Sequence, residues 1–239
     1  MAVPDVRWWF SELLKRCTLR TKAMLQSLNG KRFGTILADP PWRFSNRTGK
    51  MAPEHKRLSR YETMSIDEIC AMPVGAHVAD QSHLYLWVPN ALLSWGLRVM
   101  DAWGFEYKTN IVWYKIRKDG GPDGRGVGFY FRNVTELVLF GVRGSLRTQK
   151  AGRRQTNILV QRKREHSRKP DDLYTIVERC SPGPYLELFA RHERPGWTQW
   201  GNEVSAGDLF SHMPIVRPHG RNEHKPVQMP PVLGTFFAV

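Results

Sequence analysis

With 239 residues, 41% of them hydrophobic, the chain is long enough to bury a core and fits one domain with appendages. A formal net charge of +14 draws polyanions, which puts nucleic acid and acidic membrane surfaces first among partner classes. Three scattered cysteines (Cys17, Cys70, Cys180) and eight histidines without paired spacing argue against a disulfide framework or a metal site and suit a reducing cytoplasm.

In chain order, residues 6–28 read as an amphipathic helix, with Phe10, Leu13, Leu14, Cys17, Met24 and Leu28 at helical spacing. Glu12, Lys15 and Arg16 interrupt its apolar positions, so it reads neither as a signal peptide nor as a span of roughly 18 apolar residues. It is expected to pack on the main body as an appendage over 1–31. Phe33 to Ala38 has the profile of a buried strand ending at Asp39-Pro40-Pro41. Residues 43–60 are polar and basic without a period and read as a loop. Ser65 with Glu68 forms a capping-box pattern that starts a helix. Strands follow at His83–Val88, Thr109–Tyr114 and Glu136–Gly141, with a helix over 91–103 that ends at Gly104. Residues 118–126, with four glycines, form no regular element.

The basic charge is concentrated. Arg143, Arg147, Lys150, Arg153, Arg154, Arg162, Lys163, Arg164, Arg168 and Lys169 stand against one acid, Glu165, which is an electrostatic footprint for phosphates. Beyond a short strand at Ile158–Val160, Pro170 to Glu178 reads as a helix, and Tyr185 to Ala190 as a last strand. From about Val204 the chain is Pro-rich and aperiodic, and 205–239 is expected to be disordered. Alternation of strands and helices over 32–204 predicts an α/β fold with a largely parallel sheet and helices on both faces, whose ligands gather beyond the carboxyl ends of the strands.

Asp39-Pro40-Pro41-Trp42 lies at such an end. Two prolines fix two φ angles and remove two donors, leaving the Asp39 carboxylate and the carbonyls of Asp39, Pro40 and Pro41 as a stiff set of acceptors. Such a set suits an amino group with two hydrogens to donate. Trp42 is expected to offer a face to an unstacked base.

Ala38-Asp39-Pro40-Pro41-Trp42 resembles motif IV of the amino-methyltransferases. In its Trp form it is similar to the DPPW adenine-N(6) methyltransferase family, which includes the eukaryotic mRNA adenosine methyltransferase catalytic subunit and bacterial and phage relatives that act on DNA. The resemblance runs from about Phe33 to Glu203 through Tyr61-Glu62-Thr63-Met64-Ser65, Leu86-Trp87-Val88, Trp103-Gly104-Phe105, Trp113-Tyr114-Lys115, Ser167-Arg168-Lys169-Pro170-Asp171, Glu178-Arg179-Cys180-Ser181-Pro182-Gly183 and Glu187-Leu188-Phe189. It implies a Rossmann-like, S-adenosylmethionine-dependent methyltransferase fold in permuted order, with the catalytic motif before the cofactor motif. It implies catalytic roles for Asp39, Pro40, Pro41 and Trp42. It also implies that Asp39, Lys169, Glu187, Arg191, His192, Asn202 and Glu203 contact the S-adenosylmethionine cofactor. The physical reading agrees, since a lysine at the sheet mouth can hold a carboxylate and an acid at a strand end can accept from ribose hydroxyls. The chain departs from the family in reading Arg191-His192-Glu193, two residues shorter before Trp197, where Arg-Pro-His-Asn is common.

On the substrate side, Arg125, Tyr130 and Arg132, with Phe131 and Asn133, mix cations and aromatics as a flipped base and its phosphates require. Phe129-Tyr130-Phe131 suits core packing equally well. Arg153 and Arg154 are candidate phosphate contacts. The expected activity is methylation of the adenine amino group in nucleic acid, DNA before RNA, by a cytoplasmic monomer or dimer of bacterial or phage-like layout that binds no membrane. The alternatives are cytosine amino methylation and an inactive nucleic-acid-binding subunit.

Overall fold

A computed structural model describes residues 25–28, 30–43, 63–124, 130–162 and 168–201. Nearly all of the expected N-terminal helix, most of the loop over 43–60, Arg125, Asn202, Glu203 and the tail over 205–239 lie outside the described residues. Of the helix expected over 6–28, the described end is a 3₁₀ turn at Gln26–Leu28 whose Leu25 and Leu28 are buried.

Seven strands form one sheet: β1 (Phe33–Ala38), β2 (Val78–Val88), β3 (Glu106–Ile116), β4 (Thr135–Arg143), β5 (Ile158–Arg162), β6 (Tyr185–Leu188) and β7 (Trp197–Trp200). Their spatial order is β5-β3-β4-β2-β1-β6-β7. β1 pairs in parallel with β2 and β6, β6 with β7, and β3 with β5, while β4 is antiparallel to both β2 and β3. The sheet is therefore mixed. The chain leaves β1 on the β2 side and returns on its other side as β6, so the carboxyl ends of β1 and β6 flank a switch point, the usual ligand crevice of such sheets.

Both faces are covered, and the period of two decides which residue faces which core. In β2, Leu84, Leu86 and Val88 join a core with Val99 and Met100 of helix α2 (Leu93–Ala102) and Ile69 of helix α1 (Ile66–Cys70). The alternate residues Tyr85 and Trp87 join Leu173, Ile176 and Val177 of helix α3 (Asp172–Cys180) on the other face. The capping box forms as expected, the Ser65 hydroxyl accepting from the Glu68 backbone N–H at 3.3 Å and the Glu68 carboxylate from that of Ser65 at 2.7 Å. α2 stops where Gly104 takes φ +81°, a left-handed turn that disfavours a side chain.

β2 and β3 outrun their expected ranges because β4 offers partners down to Ser82 and Glu106, β1 pairs its Phe33 with Val78, and β5 carries β3 on to Ile116. The last expected strand stops at Leu188, since Phe189 turns to φ 64°. β7 went unread, its four residues being too few to show a period. It packs against the turn after β6, where a Cβ on Gly201 would lie 2.1 Å from the Ala190 carbonyl.

Candidate active site

The carboxyl ends of the strands gather a chain of alternating charges on the α3 face. Asp39 directly follows β1. Lys169 directly precedes Pro170 and α3. Its Nζ lies 3.3 Å from Asp39 Oδ1 and 2.9 Å from Glu136 Oε2. Lys115 Nζ donates to Glu136 Oε1 at 2.5 Å. Lys169 also sits over the Trp87 ring, 4.6 Å from its centroid, and Lys115 over Trp113 at 4.8 Å.

Glu136 was legible only as a strand residue, and Lys115 only as the end of the Trp113-Tyr114-Lys115 segment, one residue past the expected strand. They converge because the antiparallel register sets Trp113 opposite Glu136, which brings Lys115, two residues along the same face of β3, beside that carboxylate. The four groups are half-buried, which strengthens their coupling. Burial pushes the Asp39 carboxyl up; Lys169 opposes that and Glu136 adds to it, leaving Asp39 above the ordinary aspartate value. Burial alone would lower Lys169, but Asp39 and Glu136 together hold it above the ordinary lysine value. Burial would raise Glu136 too, yet Lys169 and Lys115 outweigh it and hold this carboxyl at about 2.

A carboxyl depressed in the folded state stabilises the fold above its unfolded value of 4.5, and that stabilisation is lost as pH falls through about 2. Glu136→Gln should therefore lower the melting temperature at neutral pH, with the gap to wild type closing as pH drops through that window. A gap that stays constant with pH would show that the two ammonium groups do not hold Glu136.

Beside this chain stands the expected cofactor acid. Tyr174 donates its hydroxyl to Glu187 Oε1 at 2.6 Å, and Gln199 donates Nε2 to Glu187 Oε2 at 3.0 Å. Burial raises the Glu187 carboxyl, these two bonds pull against it, and the net value stays above the ordinary one. Gln199 also ties down the short turn after β6. Its Nε2 donates to the His192 carbonyl, and its Oε1 accepts from the Arg194 backbone N–H at 2.7 Å. Arg194 covers the Tyr174 ring at 3.8 Å. Arg191 is close enough to Asp39 to lower its carboxyl. The His192 side chain is exposed. Tyr174 and Gln199 were not legible in the sequence as parts of this site.

The acceptor set is smaller than expected. The Pro40 carbonyl already accepts from Trp42 N at 2.8 Å, and the Pro41 carbonyl from Met64 N at 2.9 Å, so each offers its second lone pair only. Asp39 Oδ1 faces Lys169, whereas Oδ2 has no hydrogen-bond partner among the described residues. Arg43 and Thr63 are fastened together, Arg43 donating to the Thr63 carbonyl at 3.0 Å.

The stacking face expected of Trp42 is corrected by its surroundings. Trp42 is 6% exposed, belongs to the α1/α2 core, and donates its indole N–H to the Trp87 carbonyl at 3.0 Å. The chain folds back at Pro40 and forms a bridge with Met64, which turns the ring inward rather than toward the sheet mouth. Trp42→Leu should thus cost on the order of 3 kcal/mol of stability, a lower melting temperature measured by calorimetry. A variant that melts like wild type but loses methyl transfer would restore the stacking role.

Tyr130 and Phe131 are 94% and 85% exposed, so these two aromatics are not core. With Arg132 they lead into β4 at the Glu136 end. Arg153 and Arg154 are exposed at the opposite end, between β4 and β5, away from Asp39. Among the described residues no group of His, Cys, Asp and Glu could hold a metal ion, and no helix is long and apolar enough to cross a membrane.

The MT-A70 family model matches residues 33–203. The chain is similar, at 34% identity over 193 residues, to a putative N(6)-adenosine-methyltransferase MT-A70-like protein of Medicago truncatula, covering 79% of this chain and 29% of that protein. It is 30% identical over 195 residues to the human N(6)-adenosine-methyltransferase catalytic subunit METTL3, covering 80% and 31%. It is 28% identical over 193 residues to the type II methyltransferase M.MunI of a Mycoplasma species, covering 73% and 78%. The chain spans about three tenths of the length of the plant and animal relatives it matches. These relatives are both bacterial and eukaryotic, so they do not single out the expected bacterial or phage-like layout.

Proposed function

Since the chain belongs to the MT-A70 family, we propose that it is an S-adenosylmethionine-dependent methyltransferase acting on the exocyclic amino group of adenine in nucleic acid, with DNA favoured over RNA. The observation that carries this is the Asp39 carboxylate at the β1 end, held through Oδ1 by Lys169, with no hydrogen-bond partner on Oδ2 among the described residues. The match extends over 78% of the type II methyltransferase M.MunI, and that likeness is what favours DNA.

The residues present fit the cofactor. Lys169 and Arg191 supply cations for its carboxylate. Glu187, with each oxygen engaged once, keeps a lone pair on each for ribose hydroxyls. Asp39 precedes Lys169 and Glu187 in the chain, which is the permuted order. When bound, S-adenosylmethionine supplies an electrophilic methyl group on a sulfonium.

The chain's own residues prepare the nucleophile. An adenine amino nitrogen is weak because its lone pair is delocalised into the ring. Asp39 Oδ2 and the Pro40 carbonyl, each accepting one amino hydrogen, orient the nitrogen and favour a tetrahedral geometry that frees the lone pair. The carboxylate also offsets the positive charge that grows on nitrogen as the N–C bond forms and the S–C bond breaks, a preorganised electrostatic effect. The surplus proton then leaves the nitrogen toward Asp39 or solvent. Tyr130 and Arg132, exposed at the same end, are placed to meet the neighbouring bases and phosphates.

Two experiments test this reading. Calorimetric titration with S-adenosylmethionine should show one site per chain, where an inactive subunit would show none. Matched DNA and RNA oligonucleotides, with adenine or cytosine as the sole methylatable base, should accept methyl groups only where adenine is present. Transfer to the cytosine series alone would replace the substrate assignment.

A further inference from the structure

The concentrated basic charge has a second end. Where β4 leaves the sheet, an open cavity of about 710 Å³ is lined by Lys108, Arg147 and Arg153, by the hydroxyl residues Ser145 and Thr148, and by an apolar floor that includes Phe140. Lys108 is paired with Glu106 at 2.5 Å, but among the described residues the guanidinium groups of Arg147 and Arg153 have no acidic partner. Two unpaired guanidinium groups beside two hydroxyl residues form a donor-rich surface, the chemistry that phosphate oxygens require.

Position says which phosphates. Glu136 at the candidate active site and Val142 at the cavity lie six residues apart on one face of β4, on the order of 20 Å at about 3.4 Å per residue. The basic stretch joins the two ends. It starts at Arg147 and Arg153, continues through the edge strand β5 to Arg162, which is paired with Ile116 at the carboxyl end of β3, and returns to Lys169.

We propose that this cavity is a distal phosphate site, which grips the backbone of the same nucleic acid whose target base enters at Asp39, about six base pairs away at about 3.4 Å per nucleotide of each strand. The inference rests on the nucleic-acid reading above and adds a length requirement to it. A substrate too short to span the sheet reaches Asp39 but not Arg147 and Arg153. A longer one engages both ends and gains affinity through counterion release at the second. Adenine and its immediate neighbours would be read at one end, while the other end measures only that the backbone continues.

The test compares wild type with the double variant Arg147→Gln/Arg153→Gln. Both arginines are exposed, so melting temperature and S-adenosylmethionine affinity serve as controls for an intact fold. Fluorescence anisotropy is read over a salt series on a short duplex of about four base pairs closed by a hairpin loop and on a long duplex of about twenty base pairs, each carrying one central adenine target. On the long duplex the log–log salt slope of the variant should be shallower by about 1.8, two phosphates at about 0.9 each. On the short duplex the two proteins should bind alike. Equal slopes on the long duplex would overturn the proposal. An equal loss on the short one would do so too, by placing these arginines at the target base. Inorganic phosphate or a mononucleotide that binds wild type tightly, and the double variant not at all, would make the cavity a free-ligand site and also overturn it. Length-dependent binding without any methylation would sink the proposed activity and leave the distal site standing; methylation without length dependence would do the reverse.

Discussion

Asp39→Ala should reduce methyl transfer by about 10²–10³-fold, the usual loss when one preorganised electrostatic interaction is removed from a transition state. Two contributions vanish together. The amino group loses its charged acceptor, and the developing positive charge on nitrogen loses its counter-charge. Lys169 loses one of its two carboxylates but keeps Glu136 at 2.9 Å, so it remains anchored and the fold should survive. Single-turnover rates at saturating nucleic acid separate this from weaker binding. The wild-type rate should also fall on the acid side with a midpoint above the ordinary aspartate value, because burial and Glu136 raise the Asp39 carboxyl and protonation therefore sets in at higher pH. Asp39→Asn should erase that acid limb along with most of the rate. Turnover within a few-fold of wild type in either variant would remove Asp39 from the chemistry.

Lys169→Ala should be the most damaging change to the site as a whole. In wild type one ammonium group stands between two carboxylates, at 3.3 and 2.9 Å. Without it, Glu136 still has Lys115, but Asp39 is left half-buried beside the like charge of Glu136, with Arg191 opposing it less strongly than Lys169 did. Removing one member of a buried ion pair costs roughly 3–5 kcal/mol, and partial exposure here brings the expectation to about 2–3 kcal/mol. The Asp39 carboxyl, already raised, should rise further. The folded variant then takes up a proton that its unfolded chain does not, so its deficit in stability should shrink as pH falls. Melting curves between neutral and mildly acidic pH check this. In titrations at neutral pH, S-adenosylmethionine affinity should fall more than nucleic-acid affinity, since Lys169 is proposed to supply a cation for the cofactor carboxylate. Equal losses would assign Lys169 to the phosphate track instead.

Parts of this site were legible as strings of neighbouring residues. Phe33 to Ala38 announces a buried strand by its unbroken apolar run, and Asp39-Pro40-Pro41 announces a rigid end. Glu187 stands out because an acid inside Tyr185-Leu186-Glu187-Leu188-Phe189 needs a partner if buried, and Lys169-Pro170 because it matches the family's motif, where a lone lysine would read as a solvated charge. Glu136 and Lys115 announce nothing of this kind. Each sits at the end of an ordinary strand, and only the antiparallel pairing of β3 with β4 makes them neighbours of Lys169. Tyr174 and Gln199 are hidden for the same reason, because their hydrogen bonds to Glu187 depend on α3 lying against β6 and on a four-residue β7 with no readable period. Trp42 misled because its place after Pro41 suggested the sheet mouth, whereas the bridge to Met64 turns its ring inward. The basic run was legible as a phosphate footprint, but not the separation between its two ends, which follows from the direction of β4 and β5 in the sheet.

The central claim is that the Asp39 end of this sheet methylates the amino nitrogen of adenine. The most direct test incubates wild type and Asp39→Ala with nucleic acid and S-adenosylmethionine carrying an isotopically labelled methyl group, then digests to nucleosides and separates the products by mass spectrometry. Labelled N(6)-methyladenine nucleoside is expected from wild type and little or none from the variant. Label on cytosine, label on a ring nitrogen of adenine, or equal labelling by the two proteins would contradict it.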